Sequence, residues 1–188
     1  MQQNITHTEA NLSYWEQTAF FNSIDIAIIG SGIVGLSAAI HLKEQHPKLK
    51  VVIIERGTLP IGASTRNAGF ACFGSMTELL DDLEHHSEAE VFELLEKRWT
   101  GLNRLRQRIG DKAMDYKPYG GFEIFKGDEQ ASYEACQKRM TWMNQSLGTL
   151  IQRHDIFSNA DHLIPKFGFA KVNHMIRNSA EGQIDTGK

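Results

Sequence analysis

Three glycines and one acid in this chain have the spacing of a phosphate- and ribose-binding turn. The glycines stand in Gly30-Ser31-Gly32-Ile33-Val34-Gly35, and the acid, Glu55, follows the apolar run Val51-Val52-Ile53-Ile54, twenty residues beyond Gly35. Each has a distinct physical task. Gly30 permits a tight turn, Gly32 lets the backbone approach a pyrophosphate, and Gly35 lets a helix pack close to the strands. The pyrophosphate would sit on free N–H groups at the positive end of a helix dipole. Glu55 would accept hydrogen bonds from the ribose hydroxyls of an adenosine. A bare G-x-G-x-x-G is weak evidence, but here its context is complete. The apolar run Ile26-Ala27-Ile28-Ile29 enters the turn, and Leu36-Ser37-Ala38-Ala39-Ile40-His41-Leu42 leaves it as a helix. The residues read as a dinucleotide site on a β-α-β unit.

The segment after Glu55 bears on which dinucleotide is held. A nicotinamide dehydrogenase would run from its second strand into another helix and a third parallel strand. Here Gly57, Pro60 and Gly62 interrupt any immediate helix. Small and polar residues follow, in Gly62-Ala63-Ser64-Thr65-Arg66-Asn67-Ala68-Gly69-Phe70. Such a stretch can lay its backbone against a flat ligand, because few side chains stand in the way. Ser64 and Thr65 are placed to cap a following helix.

Together, Ile28 to Ala39 and Gly62 to Gly69 resemble the D-amino-acid oxidase-like superfamily of FAD-dependent oxidoreductases. Within it, the second motif is most similar to the branch of γ-glutamylputrescine oxidase and related amine or amino-acid oxidases. Ser13-Tyr14-Trp15 is similar to an aromatic lead found in that branch. Glu181-Gly182-Gln183-Ile184-Asp185 resembles the stretch in which such chains return from the substrate domain to the FAD domain. The resemblance implies an α/β fold, with a Rossmann-like FAD-binding β-α-β domain and an inserted α+β substrate-domain region. Residues 1–84 would form the N-terminal segment and the FAD-binding portion, 85–180 a partial substrate or cap region, and 181–188 the start of the return. The cofactor contacts it implies are Gly30, Gly32, Ile33, Val34, Gly35, Glu55, Arg56, Ala63, Ser64, Arg66, Asn67, Ala68 and Gly69. Members of the family run to about twice this length, against ~100–200 residues per domain. A truncated chain is therefore expected, with Asp185 as the N-cap of a helix that does not follow.

The implied chemistry is oxidation of an amine or amino acid. A hydride leaves the C–H next to nitrogen for the flavin, and water hydrolyses the resulting imine. No catalytic residue can be named from the sequence. Two other readings stay open: an NAD-dependent dehydrogenase, and a dinucleotide-binding fragment with no catalysis of its own.

Composition fits a folded cytoplasmic protein, and the resemblance implies a small-molecule partner, an amine or amino acid. Hydrophobic residues make up 41% and charged residues 23%, close to globular averages. A net charge of −3 gives no reason to expect nucleic acid or an acidic membrane surface. Residues 1–24 lack the basic start and apolar centre of a signal peptide. The apolar stretch from Ile24 to Leu42 is broken by Asp25 and the three glycines, so no membrane span is expected. Two cysteines, Cys72 and Cys136, have no metal-like spacing, and no metal is expected. Cys72, just after the small-residue motif, reads as a small buried hydrophobe rather than a reactive thiol.

The middle of the chain predicts helices over 76–84, from Glu88 to Ile109, and over 128–147. Ser87-Glu88-Ala89-Glu90 has capping-box form. Val91, Leu94, Leu95, Trp99, Leu102, Leu105 and Ile109 recur at helical spacing to make one apolar face, and Gly110 stops the helix. Lys97, Arg98, Arg104, Arg106 and Arg108, interleaved with Glu93 and Glu96, read as a solvated face. His85-His86 lacks a third metal ligand. Phe122-Glu123-Ile124-Phe125 reads as a strand. Tyr116, Tyr119 and Phe122 are candidates either for a substrate pocket or for packing. Tyr133, Cys136, Met140 and Met143 should share one side of the third helix. Phe167 to Val172 is a possible further strand, with Asn173 to Gly182 leading the chain back.

Overall fold

The structure, a computed structural model, describes residues 12–187; residues 1–11, the first part of the segment read above for a signal peptide, and Lys188 lie outside the described residues. The chain divides into two compact units, Met1–Arg66 and Asn67–Lys188.

The first unit opens with a helical turn, α1 (Tyr14–Glu16), continued as a π-helix over Gln17–Phe21. Ser13 and Glu16 cap it reciprocally, each side chain accepting the other's backbone N–H. Then come β1 (Ile26–Ile29), α2 (Ile33–Gln45) and β2 (Val51–Ile54). The two strands pair in parallel, with Ile26 opposite Val51 and Ile29 opposite Ile54. Asp25 fixes this register from outside the ladder, its carboxylate accepting the Lys50 N–H at 2.7 Å. Two motif glycines shape the turn between β1 and α2. Gly30 has φ +93°, and a Cβ on Gly35 would lie 2.1 Å from the Gly30 carbonyl oxygen and 3.3 Å from Ile28. Helix and strand are therefore closer here than any side chain allows.

The second unit holds β3 (Phe70–Ala71), α3 (Met76–His85), α4 (Glu88–Ile109), β4 (Gly121–Lys126), α5 (Gln130–Ile151), β5 (Phe157–Asn159), α6 (Ile164–Phe167), β6 (Val172–Asn178) and β7 (Gly182–Gln183). Strands β4, β6 and β5 form an antiparallel sheet with β6 in the middle, and β3 pairs with β7. Helices α3, α4 and α5 supply the other half of the core, where Met76, Leu79, Leu95, Cys136, Met143 and Leu147 are almost wholly excluded from solvent against Phe157 and Ile176. The expected Ser87–Glu90 capping box is present, and Gly110, at φ +86°, ends α4. On α4, Val91 and Leu95 are buried while Trp99, Leu102 and Leu105 pack against core residues. Leu94 and Ile109, expected on the same face, are half exposed. Helix α3, on which the expected domain boundary at 84 falls, packs with α4 and α5.

Two local expectations are corrected. Phe167 to Val172 is not a strand: Pro165 near the start of α6 and Gly168, left-handed at φ +69°, build a helical turn and its stop. The strand runs instead over Val172–Asn178, in the stretch expected to be a return segment. No helix follows Ser64 and Thr65 beyond a single 3-10 turn, Ala63–Thr65, and the Thr65 hydroxyl bonds the Pro60 carbonyl instead. After Asp185 comes a turn, in which its carboxylate accepts the Gly187 N–H at 2.8 Å.

Replacing Gly35 by alanine forces apart α2 and the Gly30 turn. The first unit should lose about 1–3 kcal/mol or more, as overpacking does, read as faster amide exchange at Ile28 and Ile53. Unchanged exchange would show that the contact does not hold the unit together.

Candidate functional site

In the first unit, the start of α2 and the end of β2 converge on the glycine turn. A helix of this length leaves its first N–H groups without intrahelical partners. Gly32, the N-cap, has no side chain to satisfy them. The Ile33 N–H donates to the Ser64 hydroxyl at 2.9 Å, so the serine expected to cap a later helix caps α2 from thirty-one residues away. The hydroxyl reaches this position because Gly32 has no Cβ; one there would stand 2.9 Å from Ser64 Oγ. The N–H groups of Val34 and Gly35 have no hydrogen-bond partner among the described residues. Two open donors at the positive end of a helix can hold an anion.

Glu55 lies just past the end of β2 and turns toward the glycines. Its Oε2 accepts from the Ser31 N–H at 2.9 Å and the Ser31 hydroxyl at 2.8 Å, and its Oε1 from the Gly57 N–H at 3.1 Å. These donors, with the Ser31 N–H the strongest, then Gly57 and the Ser31 hydroxyl, hold its carboxyl at about 2 against an ordinary 4.5. A carboxylate has about four lone-pair sites, so a further donor can still approach Oε1. Ser31, not singled out in the sequence, is therefore a working part of the turn. Its signal was its place: a hydroxyl between the first two glycines, facing the acid that ends the next strand.

The remaining expected contacts separate. Gly30, Gly32, Ile33, Val34, Gly35, Glu55 and Ser64 gather at one end of the β-α-β unit. Arg56 and Arg66 are exposed in the same unit, and Ala63 opens its 3-10 turn. Asn67, Ala68 and Gly69 belong to the second unit. There Gly69, at φ +76°, donates its N–H to the Asn67 side chain at 2.8 Å, and its carbonyl accepts the Ile184 N–H at 2.8 Å. The C-terminal stretch that resembled a return segment thus runs along the residues after the small-residue motif.

A cavity of about 310 Å³ lies wholly within the second unit, with Phe122 and Cys72 in its lining. Tyr116 is instead buried beside Met114 and Ala71, and Tyr119 faces solvent. Cys72 corrects an expectation: it is exposed, because the β3 alternation turns Ala71 inward and its neighbours outward. Desolvation and the Glu181 and Glu78 carboxylates push its thiol up, against thiolate reactivity. On α4, Lys97 pairs with Glu93, Arg98 with the Phe73 carbonyl, and Arg106 with Asp111.

The Glu55 contacts set a pH dependence. The folded carboxyl is the stronger acid, so its stabilisation is complete above about 4.5 and is lost as pH falls through about 2. A carboxyl-carbon NMR titration should give Glu55 a midpoint near 2, with the Ser31 amide moving in step. A midpoint near 4.5 would show that the carboxylate does not hold the turn.

This geometry has recognisable relatives. The chain is 31% identical over 117 residues, 61% of its length and 26% of the relative's, to gamma-glutamylputrescine oxidoreductase of Escherichia coli. In fold it is similar to glycine oxidase from Bacillus cereus, with a TM-score of 0.56 and 22% identity, over 87% of this chain and 42% of that one. It is also similar to iminodiacetate oxidase from Chelativorans sp., with a TM-score of 0.55 and 18% identity, over 86% and 41%. The chain thus spans less than half the length of these relatives. No helix among the described residues is long and apolar enough to cross a membrane. The sequence model of the DAO family, FAD dependent oxidoreductase, matches residues 25–188, and the chain belongs to that family.

Proposed function

We propose that this chain supplies the FAD-holding β-α-β portion of an oxidoreductase acting on a small amine or amino acid. The observation that carries the proposal is the pair of open N–H groups, Val34 and Gly35, beside the Glu55 carboxylate at one end of the unit. The residues fit the family's cofactor. The absent Cβ of Gly32 leaves the helix start approachable, and the Ser64 hydroxyl is a removable cap on the Ile33 N–H. Glu55 keeps acceptor capacity for a ribose hydroxyl. Gly30, Gly32, Ile33, Val34 and Gly35 would hold the pyrophosphate, Glu55 the adenosine ribose, and the stretch from Ala63 to Gly69, with Arg56, further parts of the cofactor.

Bound FAD supplies the oxidising power, taking a hydride from a substrate C–H next to nitrogen. The chain's own part is binding and orientation. The dipole of α2 and its two open N–H groups neutralise phosphate charge, and Ser31 and Gly57 keep the Glu55 carboxylate ionised and aimed. The names of the relatives, for gamma-glutamylputrescine, glycine and iminodiacetate, support a nitrogen-bearing substrate. The family's FAD dependence weighs against the nicotinamide reading of the same glycines.

Flavin fluorescence quenching by the purified chain tests the assignment. Removing charge-assisted bonds in Glu55→Ala should weaken FAD binding on the order of tens of fold. Gly32→Val, which fills the phosphate approach and displaces Ser64, should abolish it with secondary structure retained. NAD binding in place of FAD, or FAD binding indifferent to both substitutions, would overturn the assignment.

A further inference from the structure

The sheet of the second unit has two edges, and they are finished differently. Strand β6 lies in the middle, with β5 on one side and β4 on the other. On the β5 edge the Asn144 side chain takes the place of a further strand. Its Oδ1 accepts the Phe157 N–H and its Nδ2 donates to the Phe157 carbonyl, both at 2.8 Å. The β4 edge has no such cover among the described residues.

The ladder decides which backbone groups point off that edge. On the β5 side, the Ser179 N–H donates to the Ile156 carbonyl, and the Met175 carbonyl accepts the Ala160 N–H. Successive residues of a strand point these groups to opposite sides, so Ile176 and Asn178 face β4. Their partners in register, Glu123 and Gly121, face β6 in return. Phe122 and Ile124 therefore point their N–H and C=O groups away from the sheet, where they have no partner among the described residues. An open row of this kind is a template for another strand. The usual defences are missing: β4 contains no proline, and its register shift lies at the far end, between Phe125 and Lys126. The side chains beside the open row are apolar. Ile124 is 39% exposed, and Phe122 packs against Phe167, itself 46% exposed, with ring centroids 5.3 Å apart.

We propose that this edge is an interface between two copies of the chain, with β4 pairing antiparallel to β4 of the second copy and Ile124 on the twofold axis. The sequence of β4, Gly121-Phe122-Glu123-Ile124-Phe125-Lys126, selects both partner and register. In a twofold pairing one residue meets itself, because directly opposed residues share a face. Glu123 on the axis would set two carboxylates against each other, which is destabilising. With Phe122 on the axis, Ile124 meets no residue of the second strand, and with Phe125 there, Phe122 meets none. Only Ile124 on the axis uses both open residues and keeps the acids apart. Ile124 then exchanges two backbone bonds with its copy, and the Phe122 N–H donates to the second copy's Lys126 carbonyl. That lysine's ammonium lies across from the Phe122 ring, an attractive pairing, and Glu123 lies opposite Phe125. The contact is self-complementary, as a closed pair requires, and small, so association depends on concentration. The proposal goes beyond the flavin assignment and does not rest on it, because every residue invoked lies in the second unit.

Sedimentation velocity and amide hydrogen exchange of the full chain, without FAD, test it. As concentration rises from micromolar towards millimolar, the sedimenting mass should pass from one copy to two and stop there. The Phe122 and Ile124 amides should exchange freely in the dilute chain and slow by roughly tenfold or more in the concentrated one. Ile124→Lys sets like charges on the axis, and Ile124→Pro removes an N–H that points off the sheet, where proline is tolerated. Each variant should stay single at the highest concentration, with the Ile176 amide as protected as before. A single copy at every concentration would overturn the proposal, and is the result expected if the natural occupant of the edge is some other polypeptide. So would a pair that survives both substitutions, assembly beyond two copies, or association that leaves the Phe122 and Ile124 amides unprotected. If neither variant folds, the mass and amide exchange of the unaltered chain decide the question alone.

Discussion

The first unit depends on one contact, the approach of α2 to the turn that follows β1. Where a Cβ on Gly35 would be 2.1 Å from the Gly30 carbonyl oxygen, two backbone segments have come together with nothing between them. That approach places the helix start directly over the end of β1. It also brings the end of β2 within reach of Ser31, so that the Glu55 carboxylate can close on the turn. Ser64 can then reach the Ile33 N–H across the side chain that Gly32 lacks. Any side chain at position 35 would separate these parts together, which is why an anion site, an acid and a borrowed cap share a single steric requirement.

The second unit is organised around a different constraint, the pairing of buried polar groups. Between Gly69 and Gly74 the chain forms only two residues of strand, and much of its backbone is satisfied by the C-terminal stretch. Ile184 pairs with Gly69, Glu181 accepts from Phe73 and Gly74, and the Asn178 side chain donates to the Gly74 carbonyl at 3.3 Å. Asn178 and Glu181 are the buried polar residues of the described core. Each is held by this segment, as buried polar groups must be.

The two units suit different parts of flavoenzyme chemistry. A parallel pair of strands with a helix crossover exposes backbone donors at one end, which suits phosphates. An antiparallel sheet with helices on one side encloses a cavity whose lining can vary without disturbing the ladder. Membership in the DAO family gives the first feature a cofactor.

Much of this was legible in the chain itself. Strong periodicity, complete caps and glycines in their motif fixed the β-α-β unit, the capping box at Ser87, the stop at Gly110 and the buried side of α5, because each rests on neighbours within a few residues. The helical stop at Gly168 was missed, because a Pro–Gly turn and a short apolar strand look alike when the strand's partner is unknown. Ser64, expected to cap a later helix, caps α2 instead, since a hydroxyl's partner is decided by the segment that folds against it and not by the next residues along the chain. Cys72 faces outward for the same kind of reason: β3 exists only through its pairing with β7, over a hundred residues away. Glu181 read as one letter of a family-like stretch. Its burial and its two N–H partners, Phe73 and Gly74, arise from contacts that only the tertiary structure brings together, because a side chain's surroundings come from segments distant in the chain, whereas its turn, cap or period comes from its neighbours.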